Sequence, residues 1–152
     1  MFEVVVVGTD GSESAGVAVR EATALTALTN GTLPVVTAYR PVSVTSVAMA
    51  ATAGAATVHV EAVNRGAATE TEQECKHAVA DARRQGVKCE VHAVPGEPAD
   101  ALIAVAKEVR ADLLVVGSRG MSGARRFVLG SVPNKVSHHC PCSLLIVDTT
   151  AD

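Results

Sequence analysis

Residues 115–132 read VVGSRGMSGARRFVLGSV. Gly117, Gly120, Gly123 and Gly130 surround Arg119, Arg125 and Arg126, and no acid lies among them. Glycines can take positive φ, which lets backbone N–H groups converge into a concavity that holds phosphate oxygens. Gly130-Ser131 opens a predicted helix, whose first N–H groups lack intrahelical partners and whose dipole favours negative charge. Ser131 adds a hydroxyl donor. A single glycine would read as a surface turn; four of them with a helix start and no acid read as an anion site. The phosphate-loop signature needs Lys-Ser/Thr after its glycines, and the dinucleotide fingerprint is G-x-G-x-x-G. Neither is present. The spacing is Gly117-x2-Gly120-x9-Gly130-Ser131.

A second polar turn, TDGSES (9–14), follows the first apolar run. Asp10 and Glu13 suit a capping arrangement at the first helix, worth about 1 kcal/mol. A third cluster, SHHCPC (137–142), offers two histidines and two cysteines. Adjacent His138 and His139 diverge by about 100° on a helix, and Cys140-x-Cys142 spans a proline. A zinc site is therefore disfavoured against a helix end with a packed Cys142. Phosphoryl transfer needs a metal-binding carboxylate and a residue that orients water. The glycine segment supplies no acid, and His59 and His92 lie outside the predicted site. Binding with at most slow hydrolysis is expected.

The elements that must position these residues are legible in the patterning. The chain has 152 residues, 48% of them hydrophobic but only 2% aromatic, so its core must be Val, Leu, Ile and Ala. That length fits one domain with one core. Buried strands are expected at FEVVVVG (2–8), TLPVVTAY (32–39), VKCEVHAV (87–94), ADLLVVG (111–117) and CSLLIVD (142–148). Pro34 reads as a strand-edge residue. The third strand alternates and should carry a more exposed face. Helical spacing links Ala15, Ala18, Val19, Ala22 and Leu25, and Asn30-Gly31 stops that helix. A helix over roughly 58–85 should bury Val63, Ala67, Cys75, Ala78, Val79 and Ala82. Arg83, Arg84 and Gly86 fit its C-terminal end. Pro98 opens a helix striped by Leu102, Val105, Ala106 and Val109. A short helix spans about 130–139. Residues 40–57 are rich in small residues and weakly periodic, and read as a long, partly mobile connection and a candidate lid over the site.

Strands alternating with helices imply a parallel sheet with helices on both faces. Ligands in such sheets bind beyond the carboxyl ends of the strands, where strand order reverses. The loops after strands one and four should share that place. From Leu113 to Val147 there are four cations and no acid, in a chain of net charge −3. A local anion site is expected, not a nucleic-acid-binding face. Apolar runs are too short to span a membrane and the N-terminus carries no signal peptide, so a cytoplasmic chain with four reduced cysteines is expected.

G-x2-G-x9-G-[S/T] after an apolar strand resembles the nucleotide loop of the universal stress protein family. The likeness covers nearly the whole chain: VVVVGTDGSESAGVAVREA at the start, VPGEPADALIAVAKEVRADLLVVGSRGMSG, and LGSVPNKVSHHCPCSLLIV at the end. The resemblance implies a five-stranded parallel α/β sheet sandwiched by about four helices. That fold is Rossmann-like and of the adenine nucleotide alpha hydrolase-like type. It also implies a regulatory role in the stress response and a homodimer, to which the apolar last strand would contribute. Carried over, Asp10 would hold the ribose hydroxyls with Thr9 beside it, and the Ala38 backbone would meet adenine. Val116 and Gly117 would line base and ribose. Arg119, Gly120, Gly130, Ser131 and Val132 would face the phosphates. ATP, accompanied by Mg²⁺, is the first ligand implied. Pro133 departs from the pattern, since it lacks an N–H. A mycobacterial-type branch with a similar LGSVP segment prefers cyclic AMP, which needs fewer donors. A weak ATPase and a nucleotide-free interaction module are the remaining alternatives.

Overall fold

The computed structural model describes residues 1–42, 60–119 and 129–149. Most of the 40–57 connection, with Gly120, Gly123, Arg125 and Arg126, lies outside the described residues. Five strands form one parallel sheet in the order β3-β2-β1-β4-β5: β1 (Val5–Gly8), β2 (Thr32–Tyr39), β3 (Lys88–Pro95), β4 (Leu113–Gly117) and β5 (Ser143–Val147). Four helices connect them: α1 (Glu13–Thr29), α2 (Val60–Arg84), α3 (Pro98–Glu108) and α4 (Ser131–His139). The expected α/β architecture is present.

Alternation along the strands divides the core in two. Val5 and Val7 of β1 join Leu33, Val35, Leu113 and Val115 against α1 and α2. Val6 joins Val36, Leu114 and Val116 against α3 and Val136 of α4. Each fully buried Val contributes about 1.5–3 kcal/mol of transfer free energy. With almost no aromatic rings, both layers are close-packed from small branched side chains, which suits a sheet buried on both faces.

The helix ends follow their sequence signals. Ser12 is the N-cap of α1, its hydroxyl accepting the Ala15 N–H at 3.1 Å. Asn30 closes α1 in the left-handed region, φ 54°. Arg83 and Arg84 occupy the last turn of α2, where Arg84 pairs with Asp81, and Gly86 follows at φ 81°. Pro98 opens α3 behind the N-cap Glu97.

Two expectations about side chains give way. Pro34 is not on an edge: β2 lies between β3 and β1, and Pro34 is in register with Glu90 of β3. Thr32 N–H donates to Glu3 and the Val36 carbonyl accepts from Thr9, so the residue between them presents its missing N–H to β1. The β1–β2 ladder is accordingly interrupted between the Val4↔Thr32 bridge and the Val7↔Val35 pair. Val63 of α2 is 39% exposed and not part of the inward face. Of that face Cys75, Val79 and Ala82 are buried, all in the C-terminal half of the helix.

Candidate functional site

Strand order reverses between β1 and β4: α1 leads from β1 toward β2 on one side, and α4 leads from β4 toward β5 on the other. At the carboxyl ends of these two strands lies a cavity of about 500 Å³, within the usual range for small-molecule sites. Thr9, Asp10, Ala38, Val116 and Gly117 all line it. So do Arg119, Gly130, Ser131 and Val132. Nine of the ten residues carried over by the resemblance thus line one cavity; the tenth, Gly120, lies outside the described residues, as do Gly123, Arg125 and Arg126.

Asp10 stands at the mouth, in the turn between β1 and α1. Its Oδ1 accepts the Ser12 N–H at 3.0 Å and also the Ser12 hydroxyl. The expected Asp10/Glu13 cap is therefore replaced by a relay: Asp10 orients Ser12, and Ser12 caps α1. Thr9 is nearly buried; its N–H donates to Val36 at 2.9 Å, and its hydroxyl accepts the Gly11 N–H at 3.2 Å. These bonds fix the turn and hold the carboxylate at the cavity edge.

Across the cavity, β4 ends in Gly117. Its φ is not positive, contrary to the expectation; the constraint there is space. A Cβ at Gly117 would lie 3.0 Å from the Thr149 methyl and 3.2 Å from the Arg119 carbonyl. Ser118, which the sequence reading passed over, joins three segments. Its N–H donates to Val147 at 2.7 Å, its carbonyl accepts from Gly130 at 3.1 Å, and its hydroxyl accepts the Thr149 N–H at 3.1 Å. Gly130 is the N-cap of α4, with φ −58°. Its N–H is spent on Ser118, and Pro133 has none. Ser131 and Val132 therefore carry the first-turn N–H groups that have no intrahelical acceptor, and both residues line the cavity.

Further residues reach the cavity from outside the two loops, among them Arg40 after β2, Glu97, Pro98, Ala99 and Leu102 of the α3 region, and Lys135 one turn into α4. Lys135 Nζ lies 2.8 Å from Asp100 Oδ2 on α3. Glu97 adds a second carboxylate, so Asp10 is not the sole acid here. The pattern that could have pointed to Glu97 is its place before Pro98, a helix start facing the same sheet end. The lining is mixed: valine and alanine side chains, the carboxylates of Asp10 and Glu97, the cations Arg40, Arg119 and Lys135, and the first turn of α4. A ligand with apolar, hydroxylated and anionic parts suits such a lining.

The remaining candidates lie apart. His92 is on β3; its Nε2 is buried without a hydrogen bond, 3.7 Å from the Glu90 carboxylate. Cys140 and Cys142 follow α4, and no three His, Cys, Asp or Glu side chains converge as a metal set among the described residues. No described helix is long and apolar enough to cross a membrane.

Sheet order and pocket together define an α/β protein whose cavity opens at the switch point of a doubly wound parallel sheet. The chain belongs to the universal stress protein family, whose model matches residues 1–148. It is 36% identical over 151 residues to universal stress protein Rv1636 of Mycobacterium tuberculosis, covering 98% of both chains. Universal stress protein YxiE of Bacillus subtilis is 44% identical over 72 residues, 47% of this chain and 49% of that one. The chain thus spans about half the length of YxiE. A crystal structure of a universal stress protein in complex with cAMP superposes with a TM-score of 0.70 at 34% identity, over 98% of each chain.

Proposed function

We propose that the protein is a cytoplasmic regulatory protein that binds an adenine nucleotide in this cavity, with cyclic AMP as the ligand the geometry supports best. The observation that carries the reading is the count of donors at the start of α4. Gly130 N–H is engaged by Ser118 and Pro133 lacks one, which leaves Ser131 and Val132 for an anion. Among the described residues, two N–H groups, a serine hydroxyl and Arg119 face that end, a set that suits one singly charged phosphodiester. The relative solved with cAMP supports the same choice. Adenine would lie on the apolar floor beside Ala38 and Val116, and Asp10 would accept from ribose hydroxyl. ATP with Mg²⁺ is the second reading, favoured by the additional cation Lys135 at the same end.

The ligand would be held, and its binding would shift a conformational equilibrium. A slow ATPase is the enzymatic alternative, and phosphate release lost on Asp10→Ala would identify it. β5 closes one side of the sheet with β4 as its sole partner strand among those described, and its Leu144, Leu145, Ile146 and Val147 are only half-buried. An apolar edge of that kind suits pairing with a second copy. Sedimentation with and without nucleotide measures whether occupancy biases such a homodimer.

The test of the ligand is calorimetric titration of the intact chain with cyclic AMP and with ATP, with and without Mg²⁺. Cyclic AMP should bind more tightly. Gly117→Val, whose side chain would crowd the Thr149 methyl and the Arg119 carbonyl and so displace the strand end that lines the cavity, should weaken binding by at least about tenfold, or about 1.4 kcal/mol. Full affinity in that variant would place the ligand elsewhere. Absence of any adenylate binding would leave the nucleotide-free interaction module.

A further inference from the structure

Cys140 ends α4 as its C-cap, and Cys142 precedes β5; both are half-buried free thiols. Their sulfurs lie 3.8 Å apart, with Pro141 alone between them in the chain. The Cys140 sulfur also approaches the Ser143 carbonyl at 4.0 Å. The other two cysteines, Cys75 in the core and Cys89 on β3, have no thiol partner of this kind among the described residues. Two sulfurs in van der Waals contact need only a small closure to bond, because a disulfide sets them about 2.05 Å apart.

We propose that Cys140 and Cys142 form a redox-modification site that closes to an intrachain disulfide on reaction with a peroxide and reopens with a low-molecular-weight thiol. The Cys140 sulfur attacks one peroxide oxygen and the O–O bond breaks. The thiol proton leaves with the departing hydroxide as water, and Cys140 becomes a sulfenic acid. The Cys142 sulfur then displaces hydroxide from that sulfur. The S–S bond forms, and the Cys142 proton leaves with the hydroxide as a second water. Two electrons pass from the thiol pair to the peroxide.

The order follows from the surroundings. Burial, and then the Cys140 sulfur beside it, push the Cys142 thiol up to about 12. Cys142 therefore enters as the protonated, resolving thiol, and Cys140 as the attacking sulfur. One residue between the cysteines makes a small, strained ring. Strain raises the reduction potential of a disulfide, which suits a bond that is made and broken rather than a structural staple. The pair sits at the end of α4 opposite Ser131 and immediately before β5, so the bond would form at a junction between the cavity helix and the sheet edge.

The test treats the folded full chain with hydrogen peroxide, blocks remaining thiols by alkylation and maps the peptides by mass. The four free thiols should fall to two. The peptide with Cys140 and Cys142 should be unalkylated and lighter by two hydrogens, and dithiothreitol should restore all four. In Cys142→Ser the reaction should stop at a sulfenic acid on Cys140, trapped by dimedone; in Cys140→Ser, Cys142 should stay reduced. A disulfide-linked dimer as the main product would overturn the proposal. So would sulfinic acid at Cys140 without the internal bond in the unmutated chain, or four intact thiols at a peroxide concentration that oxidises a free cysteine peptide. The unmutated chain alone decides these outcomes, whether or not a variant folds.

Discussion

The carbonyl of Ser118 accepts the Gly130 N–H at 3.1 Å, and this bond sets where α4 begins relative to β4. The same residue reaches the far end of β5 through its N–H to Val147 and its hydroxyl to Thr149. Three chain segments that frame the cavity are thereby fixed by one serine. Its two backbone bonds survive a side-chain change; its hydroxyl bonds do not. Ser118→Ala should lose about 1 kcal/mol, the usual net worth of such hydrogen bonds. In a chain of this size that is a melting temperature lower by about 2–4 °C, measured by scanning calorimetry. An unchanged melting temperature would show that Thr149 is held without it.

What the sequence disclosed and what it hid divide along a physical line. Strands buried on both faces read as unbroken apolar runs, so β1, β2, β4 and β5 were legible from Val, Leu and Ile alone. Helix ends carried local chemistry: Asn30, Pro98 and the Arg83-Arg84-Gly86 run act on their own neighbours. Residues in the loops after β1 and β4 were legible because strand ends at a switch point face one place. Glu97 was not, since it reaches the cavity only through the packing of α3 on the sheet, and neither was Arg40, which follows the end of β2 next to β1. Pro34 misled for a related reason. A proline missing from one ladder can still serve the other, and only the strand order shows which. Gly117 was read as a conformational requirement and proved to be a requirement for space.

Asp10 and Ser12 separate two functions that one turn performs. Ser12→Ala removes the α1 cap and should cost about 1 kcal/mol of stability, with adenylate affinity falling less than about threefold. Asp10→Ala removes the proposed ribose acceptor as well as the support of Ser12. It should lose similar stability but weaken cyclic AMP by at least about tenfold. Thermal melts and titrations of the two variants give the comparison. Equal losses of affinity would assign Asp10 a structural role only.

Lys135 and Asp100 give the charge at the anionic end a direct test. Both side chains are about half exposed, 47% and 60%, so their ion pair adds little to stability. Its effect should appear in the ligand instead. Lys135→Met should leave the melting temperature nearly unchanged, leave adenosine binding unaffected, and weaken ATP by roughly threefold to tenfold, with a smaller loss for cyclic AMP. Asp100→Asn removes the competing carboxylate and should tighten ATP. The differences should shrink at high salt, because exposed charges are screened. Identical responses for adenosine and ATP would remove Lys135 from the phosphate end.

Asp112 links the pH response of the fold to the strand pair beneath the cavity. Its Oδ2 accepts the N–H groups of Glu3 and Val4, each at 2.9 Å, tying the start of β1 to the start of β4. The Val4 N–H, then that of Glu3, hold the carboxyl below its ordinary value, against a weaker opposing effect of desolvation. The ionised form is therefore favoured by folding. Its stabilisation is present above the unfolded value, near pH 4, and is lost as pH falls through the lower folded value. Asp112→Ala should melt at a lower temperature than the unmutated chain at pH 7, and the gap should close as pH falls through the lowered carboxyl value. Asp112→Asn keeps an acceptor oxygen without the charge, so it should fall between the two, with a flatter acid limb. Calorimetric melts from pH 7 downward measure all three. Parallel acid limbs in the three proteins would show that the backbone donors do not bind this charge, and that another carboxylate sets the acid sensitivity of the sheet.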